Sequence, residues 1–225
     1  MKNSRYQVRK CQSEACGLRY PCQDDYTLKE RCPRCGAPTE LILVEKPGAA
    51  EEDRSPLVQN RGQAGLEAFL DNVRSAWNVG AIFRSADGAG FDRLYLCGIT
   101  PTPEYPAVLK TSLGAEKSLP WTQHLDGLQA ARLLAQTGKR LWALENDPSA
   151  CSLYDIRQFD ASMEAAQAVV LVVGNEVSGV DAEILTLCER VLYLPMQGIK
   201  RSYNVAVAFG IAAHYLGWVM SAAKY

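Results

Sequence analysis

The chain has 225 residues, of which 48% are apolar and 22% charged, and its formal net charge is -1. That length supports one or two domains with a real core, and the near-neutral charge excludes a globally basic nucleic-acid binder. Contact with RNA or DNA must then come from local patches. The start, MKNSRYQVRK, is basic but no apolar run follows it. No secretory leader is expected, and the protein is read as soluble and cytoplasmic.

Five of the eight cysteines fall within residues 11–35, so their chemistry is local. CQSEACG and CPRCG form two turns, each a cysteine pair closed by glycine: Cys11, Cys16, Gly17 and Cys32, Cys35, Gly36. Glycine after the second cysteine lets the backbone turn tightly around the sulfurs. Two such turns can close a tetrahedral zinc site of four thiolates, with no open position for substrate. A redox pair would need a surrounding βαβ pattern, which is absent, and a disulfide framework fits poorly with the missing leader. The reading is a zinc ribbon over residues 1–45 held by Cys11, Cys16, Cys32 and Cys35. Cys22 belongs to neither turn and reads as a spare thiol.

Residues 1–46 carry nine Lys or Arg against six Asp or Glu. Arg5, Arg9, Lys10, Arg19, Lys29, Arg31 and Arg34 surround the proposed metal; they read either as a solvated surface or as an RNA-touching one. KPGAAEEDRSPLVQNRGQAG, residues 46–65, is rich in Gly, Pro and charge without apolar periodicity, and reads as a linker.

From Leu66 the chain alternates between short apolar runs and helical patterns. RLYLCGI (93–99), RLWALE (140–145), AVVLVVG (168–174) and RVLYLPM (190–196) read as strands buried on both faces. Residues 126–137, 182–189 and 205–220 read as helices, giving an α/β class with a mainly parallel sheet over 66–225. Residues 205–223 carry no formal charge. Val205, Phe209, Ala212, Leu216 and Val219 recur at helical steps with His214 off the stripe, so a buried or subunit-interface helix is expected rather than a membrane span.

Three polar segments interrupt this pattern. In LDNVRSAWNVGAIFRSADGAGF (70–91), Val79, Ile82, Phe83 and Ala86 form the buried stripe, with Asn78 near the amino end and Arg84 on another face. VVGNEVSG (172–179) ends a strand in Gly-Asn-Glu, and LPMQGIKRSYNVAVA (194–208) joins a strand to a helix through glycine, two cations, a hydroxyl and an amide. Neither loop has the spacing of a P-loop or a dinucleotide fingerprint. A Ser–His–Asp hydrolase is poorly supported, because His124 and His214 adjoin none of the three.

Taken in order, NVGAIFR, VVGNEVSG and LPMQGIKRSYNVAVA resemble the three motifs of the SpoU (TrmH-type) branch of the SPOUT RNA methyltransferases. The resemblance spans roughly residues 66–222. It implies a carboxyl-terminal trefoil knot, S-adenosylmethionine bound there, an RNA partner (tRNA or rRNA), a homodimer, and methylation of a ribose 2′-hydroxyl. It assigns a catalytic set of Asn78, Arg84, Glu176, Ser202 and Asn204. Arg84 either takes the proton with help from a phosphate or orients the hydroxyl and stabilises the alkoxide. Cofactor contacts are assigned to Leu144, Gly174, Asn175, Gly179, Leu194, Met196, Ser202 and Tyr203. The chain departs from the family's Ser-Leu-Asn by reading Ser202-Tyr203-Asn204, which offers a ring for stacking. A non-catalytic RNA-binding or ribosome-assembly module keeping this fold is the rival reading.

Overall fold

The structure, a computed structural model, describes residues 6–23, 30–44, 65–156 and 168–222. The chain divides into two compact units, Met1–Leu57 and Val58–Tyr225.

The first unit is a three-stranded antiparallel sheet of β1 (Tyr6–Cys11), β2 (Arg19–Gln23) and β3 (Thr39–Val44), in the order β2-β1-β3. Among its described residues the only buried apolar side chains are Cys11 and Cys32, while Leu41 to Val44 are exposed. So small a core cannot offset the entropy of ordering the chain. Buried Arg9 spends its guanidinium inside the sheet, donating to Thr39 Oγ1 at 2.9 Å and to the Thr39 carbonyl at 3.0 Å. It therefore leaves the basic surface, which retains exposed Lys10, Arg19, Arg31 and Arg34. Arg5, Lys29 and residues 46–64 of the expected linker lie outside the described residues, and Gly65 already opens a strand.

The second unit is a seven-stranded parallel sheet. Its strands are β4 (Gly65–Asp71), β5 (Arg93–Cys97), β6 (Trp121–His124), β7 (Arg140–Leu144), β8 (Cys151–Ser152), β9 (Ala168–Val173) and β10 (Arg190–Tyr193). They run in the order β6-β5-β4-β9-β7-β10-β8, and every pairing is parallel. All carboxyl ends therefore lie on one edge. The helices are α1 (Ala76–Ala89), α2 (Pro106–Ser112), α3 (Ala115–Ser118), α4 (Gly127–Gln136), α5 (Ala182–Leu185) and α6 (Val205–Ala222).

Strand alternation builds two cores. Leu66, Ala68 and Leu70 of β4 with Val169, Leu171 and Val173 of β9 face α1 and α6, packing on Ile82, Phe83, Phe209 and Leu216. Phe69, Val170 and Val172 face α4 and α5, packing on Ala131, Leu134 and Ile184. The expected stripe of α1 is fully buried at Val79, Ile82, Phe83 and Ala86, and that of α6 at Phe209, Ala212, Leu216 and Val219. Among the described residues no helix is long and apolar enough to cross a membrane.

Apolar patterning alone missed β4, β6 and the two-residue β8. GLEAFLD holds two carboxylates, yet buried Glu67 is satisfied by Lys139 Nζ at 2.7 Å and by the Tyr95 hydroxyl at 2.8 Å. A paired acid is tolerated in a covered strand. WTQH is half polar and occupies the sheet edge. The helix expected over 182–189 stops at Leu185, because Leu187 and Cys188 close three-residue turns onto the Ile184 and Leu185 carbonyls.

Candidate active site

At the shared carboxyl edge, β9 lies between β4 and β7, where successive connections leave the sheet in different directions. Open α/β sheets bind ligands at such a point. Here the loops after β7, β9 and β10 surround a cavity of about 280 Å³.

The loop after β9 is shaped by its own backbone. Asn175 and Gly179 exchange two backbone hydrogen bonds of 3.0 Å, and Asn175 Oδ1 accepts from the Val177 and Ser178 amides. Gly179 has a left-handed φ of +75°. A Cβ on Gly174 would lie 2.2 Å from both Gly179 C and Val180 N, so only glycine lets the loop fold back on β9. Asn175 Nδ2 donates to the Asn72 carbonyl at 2.8 Å, fastening this loop to the end of β4.

Glu176 then ties the loop to α1. Its carboxylate accepts from the Arg74 amide at 2.9 Å, the Ser75 amide at 3.1 Å and Asn78 Nδ2 at 2.9 Å. Burial pushes this carboxyl up, but those donors outweigh burial and hold it below the ordinary glutamate range. A carboxylate so engaged suits an organising role better than proton transfer. Asn78 Oδ1 in turn accepts from Asn204 Nδ2 at 3.2 Å, while Asn204 Oδ1 caps α6 through the Ala206 and Val207 amides. Asn204 thus caps a helix and joins the site at once. The Glu176–Asn78–Asn204 chain gathers one residue from each of the three motifs.

All eight residues assigned to the cofactor line the cavity. Leu144, Gly174, Asn175 and Gly179 come from the β7 and β9 ends, and Leu194, Met196, Ser202 and Tyr203 from the β10 loop. Glu176 and Asn204 line it as well, whereas Asn78 touches it only through them and Arg84 does not line it. Arg84 is exposed on α1 and forms no ion pair among the described residues. The Ser202 side chain is exposed at the cavity and is free of hydrogen bonds to other described residues.

Two organising residues carried no sequence signal. Glu145 accepts from the Val180 amide at 3.0 Å and from the Asn146 amide at 2.9 Å, and Asn146 Nδ2 donates to the Arg201 carbonyl at 3.1 Å. Together they stitch the β9 loop to the β10 loop. In sequence they are an ordinary polar pair following a strand, and only the folding of distant loops onto them reveals the role.

In the first unit, Sγ atoms of Cys11, Cys16, Cys32 and Cys35 all lie within 4.8 Å of one another. Cys11 and Cys35 sulfurs are 3.5 Å apart and those of Cys16 and Cys32 3.8 Å. A zinc tetrahedron with bonds of about 2.3 Å has edges of about 3.8 Å, so the donor set fits that ion. Gly17 and Gly36 adopt φ of +56° and +74°, and the Arg34 amide points at Cys32 Sγ at 3.4 Å. Cys22 lies on β2, outside the cluster.

An all-parallel sheet with a glycine-shaped, loop-built pocket at its carboxyl edge is the α/β architecture in which ligands are bound at that edge. The SpoU rRNA Methylase family matches residues 65–214, and the chain belongs to that family. The tRNA (guanosine(18)-2′-O)-methyltransferase of Thermus thermophilus is 31% identical, over 72% of this chain and 79% of that protein. The 23S rRNA (guanosine-2′-O-)-methyltransferase RlmB of Xanthomonas axonopodis is 30% identical, over 72% of this chain and 62% of its own length. The SpoU methyltransferase AviRb of Streptomyces viridochromogenes, solved with AdoMet, superposes with a TM-score of 0.57 and 26% identity, covering 82% of this chain and 69% of its own. The family match begins where β4 begins, leaving the cysteine-bearing unit outside it.

Proposed function

We propose that the protein transfers the methyl group of S-adenosylmethionine to a ribose 2′-hydroxyl of tRNA or rRNA. The observation that carries this reading is the Glu176–Asn78–Asn204 chain beside the loop-built cavity. Relatives named as tRNA and 23S rRNA 2′-O-methyltransferases, and a neighbour solved with AdoMet, support the substrate and the cofactor.

The cavity's apolar wall of Leu144, Leu194 and Met196, with the half-exposed Tyr203 ring, suits a flat purine, and its backbone edges at Gly174 and Gly179 suit the polar groups of the donor. When bound, the donor supplies a methyl group on a sulfonium, a leaving group needing no further activation. The protein's task is then to align an oxygen and manage its proton. Glu176 fixes Asn78, which in turn orients Asn204 at the cavity wall, and Ser202 offers a free hydroxyl to donor or ribose. Arginine keeps its proton under physiological conditions, so Arg84 orients the hydroxyl and stabilises negative charge developing on it.

Arg84 stands outside the cavity lining, on the exposed face of α1, so a second copy presenting its own Arg84 would complete each site. The exposed stripe of α6 supports a homodimer, since Val207 is 50% and Trp218 61% exposed on one helical side. β10 inserts between β7 and β8, which only six residues connect, and α6 follows it. That insertion is what threading into a trefoil knot requires. The four cysteines would hold a structural Zn²⁺, which folds the ribbon and lets Lys10, Arg19, Arg31 and Arg34 grip RNA phosphates.

Arg84→Ala tests the assignment. Methyl transfer from labelled donor to RNA should be abolished while calorimetric donor affinity stays near wild type. Full activity of that variant on RNA the wild type methylates refutes the role of Arg84, and absence of donor binding by the folded wild type refutes the reaction. Ribose-methylation maps of total RNA from cells with and without the protein identify the target.

A further inference from the structure

We propose that Trp77, backed by Lys110, is a stacking platform for an unpaired base flanking the nucleotide whose ribose is methylated; this rests on the RNA reading above. Trp77 lies in the first turn of α1, immediately before Asn78, and off the buried stripe, with 54% of its surface exposed. A large indole left in water beside a reacting site is an expensive placement for packing but a useful one for binding.

The platform is built by a close helix crossing. A Cβ on Gly80 would lie 2.0 Å from Thr111 Oγ1 and 2.3 Å from the Val108 carbonyl oxygen, so α2 crosses α1 almost backbone to backbone there. Thr111 Oγ1 also donates to the Trp77 carbonyl at 3.1 Å. This crossing brings Lys110 Nζ to 5.8 Å from the Trp77 ring centroid, within cation–π range. The indole and its cation are thus held on two rigid elements, not on a loop.

Charge and spacing favour a nucleic-acid occupant. Arg74 and Arg84 are exposed, and neither they nor Lys110 pair with an acid among the described residues. The nearby acid, Glu176, is already engaged by three N–H donors. Seven helical residues return nearly to the same face, so Arg84 follows Trp77 on one side of α1 at roughly 10 Å. Wherever Arg84 meets the reacting ribose, Trp77 faces a neighbouring nucleotide. Stacking uses the π-face that every base owns, and in a duplex those faces are already covered, so the platform selects unpaired RNA.

The test uses the full-length protein, its Trp77→Ala and Trp77→Phe variants, a labelled single-stranded RNA of mixed sequence, and the same RNA fully paired. Trp77→Ala should weaken single-strand binding by roughly 10- to 100-fold, change duplex binding far less, and leave donor affinity unaltered. Trp77→Phe should recover most of the loss. Unchanged single-strand affinity, or an equal loss for both RNAs, overturns the platform. So does a change in oligomeric state by light scattering, which would make Trp77 a contact between two copies of this chain. Wild-type protein that binds neither RNA overturns the parent reading with it, whereas wild-type binding that Trp77→Ala leaves intact overturns the platform alone.

Discussion

Replacing Gly174 by alanine places a methyl group 2.2 Å from Gly179 C and Val180 N and 2.4 Å from Gly179 O, all backbone atoms that no rotamer change can move. An ordinary carbon contact is about 3.5 Å, so the 179–180 backbone must retreat by about 1.3 Å. Overpacking of this kind costs about 1–3 kcal/mol, and for a domain of this size each kcal/mol lowers Tm by about 2–4 °C, giving a fall of about 2–12 °C. The same displacement moves the wall carrying Asn175 and Glu176, and misplacement near 1 Å costs on the order of 100-fold in rate. Gly88→Ala is the control. It sits in α1 with nothing within 4 Å of the added Cβ, so the gain in helix propensity should raise Tm slightly. Scanning calorimetry reads stability, and titration with S-adenosylmethionine reads the pocket. If Gly174→Ala keeps both wild-type Tm and wild-type donor affinity, the loop does not fold against β9 as described and the backbone argument fails.

Glu176→Gln should destabilise the protein in a pH-dependent way. The folded carboxyl titrates below its ordinary value of 4.5, so its contribution is complete above that value and disappears as pH falls through the lower folded value; denaturation of wild type and variant should therefore differ at neutral pH and converge in acid. Glu145→Gln keeps the shape but weakens the acceptor for the Val180 amide, so donor affinity should fall several-fold by titration, and unchanged affinity would remove Glu145 from the loop-stitching role. Freshly purified protein should contain about one zinc per chain by elemental analysis. Replacing Cys11, Cys16, Cys32 and Cys35 with serine should abolish the metal together with protection of the first unit from proteolysis, while melting of the second unit is retained.

Much of this molecule is written locally. Continuous apolar runs such as AVVLVVG announce a strand covered on both faces, and six consecutive buried residues in β9 follow from them. The three- and four-residue recurrence of Val79, Ile82, Phe83 and Ala86 defines the inward face of α1, because helical geometry allows only one side to meet the sheet. Paired cysteines followed by glycine prescribe two turns that converge their sulfurs. The ordered motifs announced the family, and most of the residues they named line one cavity, while Asn78 reaches it only through Glu176 and Asn204 and Arg84 stands outside it.

Tertiary structure decided the rest. That Asn78, Glu176 and Asn204 share one hydrogen-bonded chain depends on strand order, since β9 must pair with β4 before Glu176 can reach α1. Glu67 interrupts the apolar pattern of β4, and only Lys139 and Tyr95, arriving from distant segments, satisfy it. Arg9 reads as surface charge until Thr39 folds across it. Glu145 and Asn146 are silent in sequence because their partners, the Val180 amide and the Arg201 carbonyl, are backbone groups that carry no residue signature. Periodicity reports which side of an element is buried; it holds no information about which element it will meet, and that meeting is what turns three loops into a site.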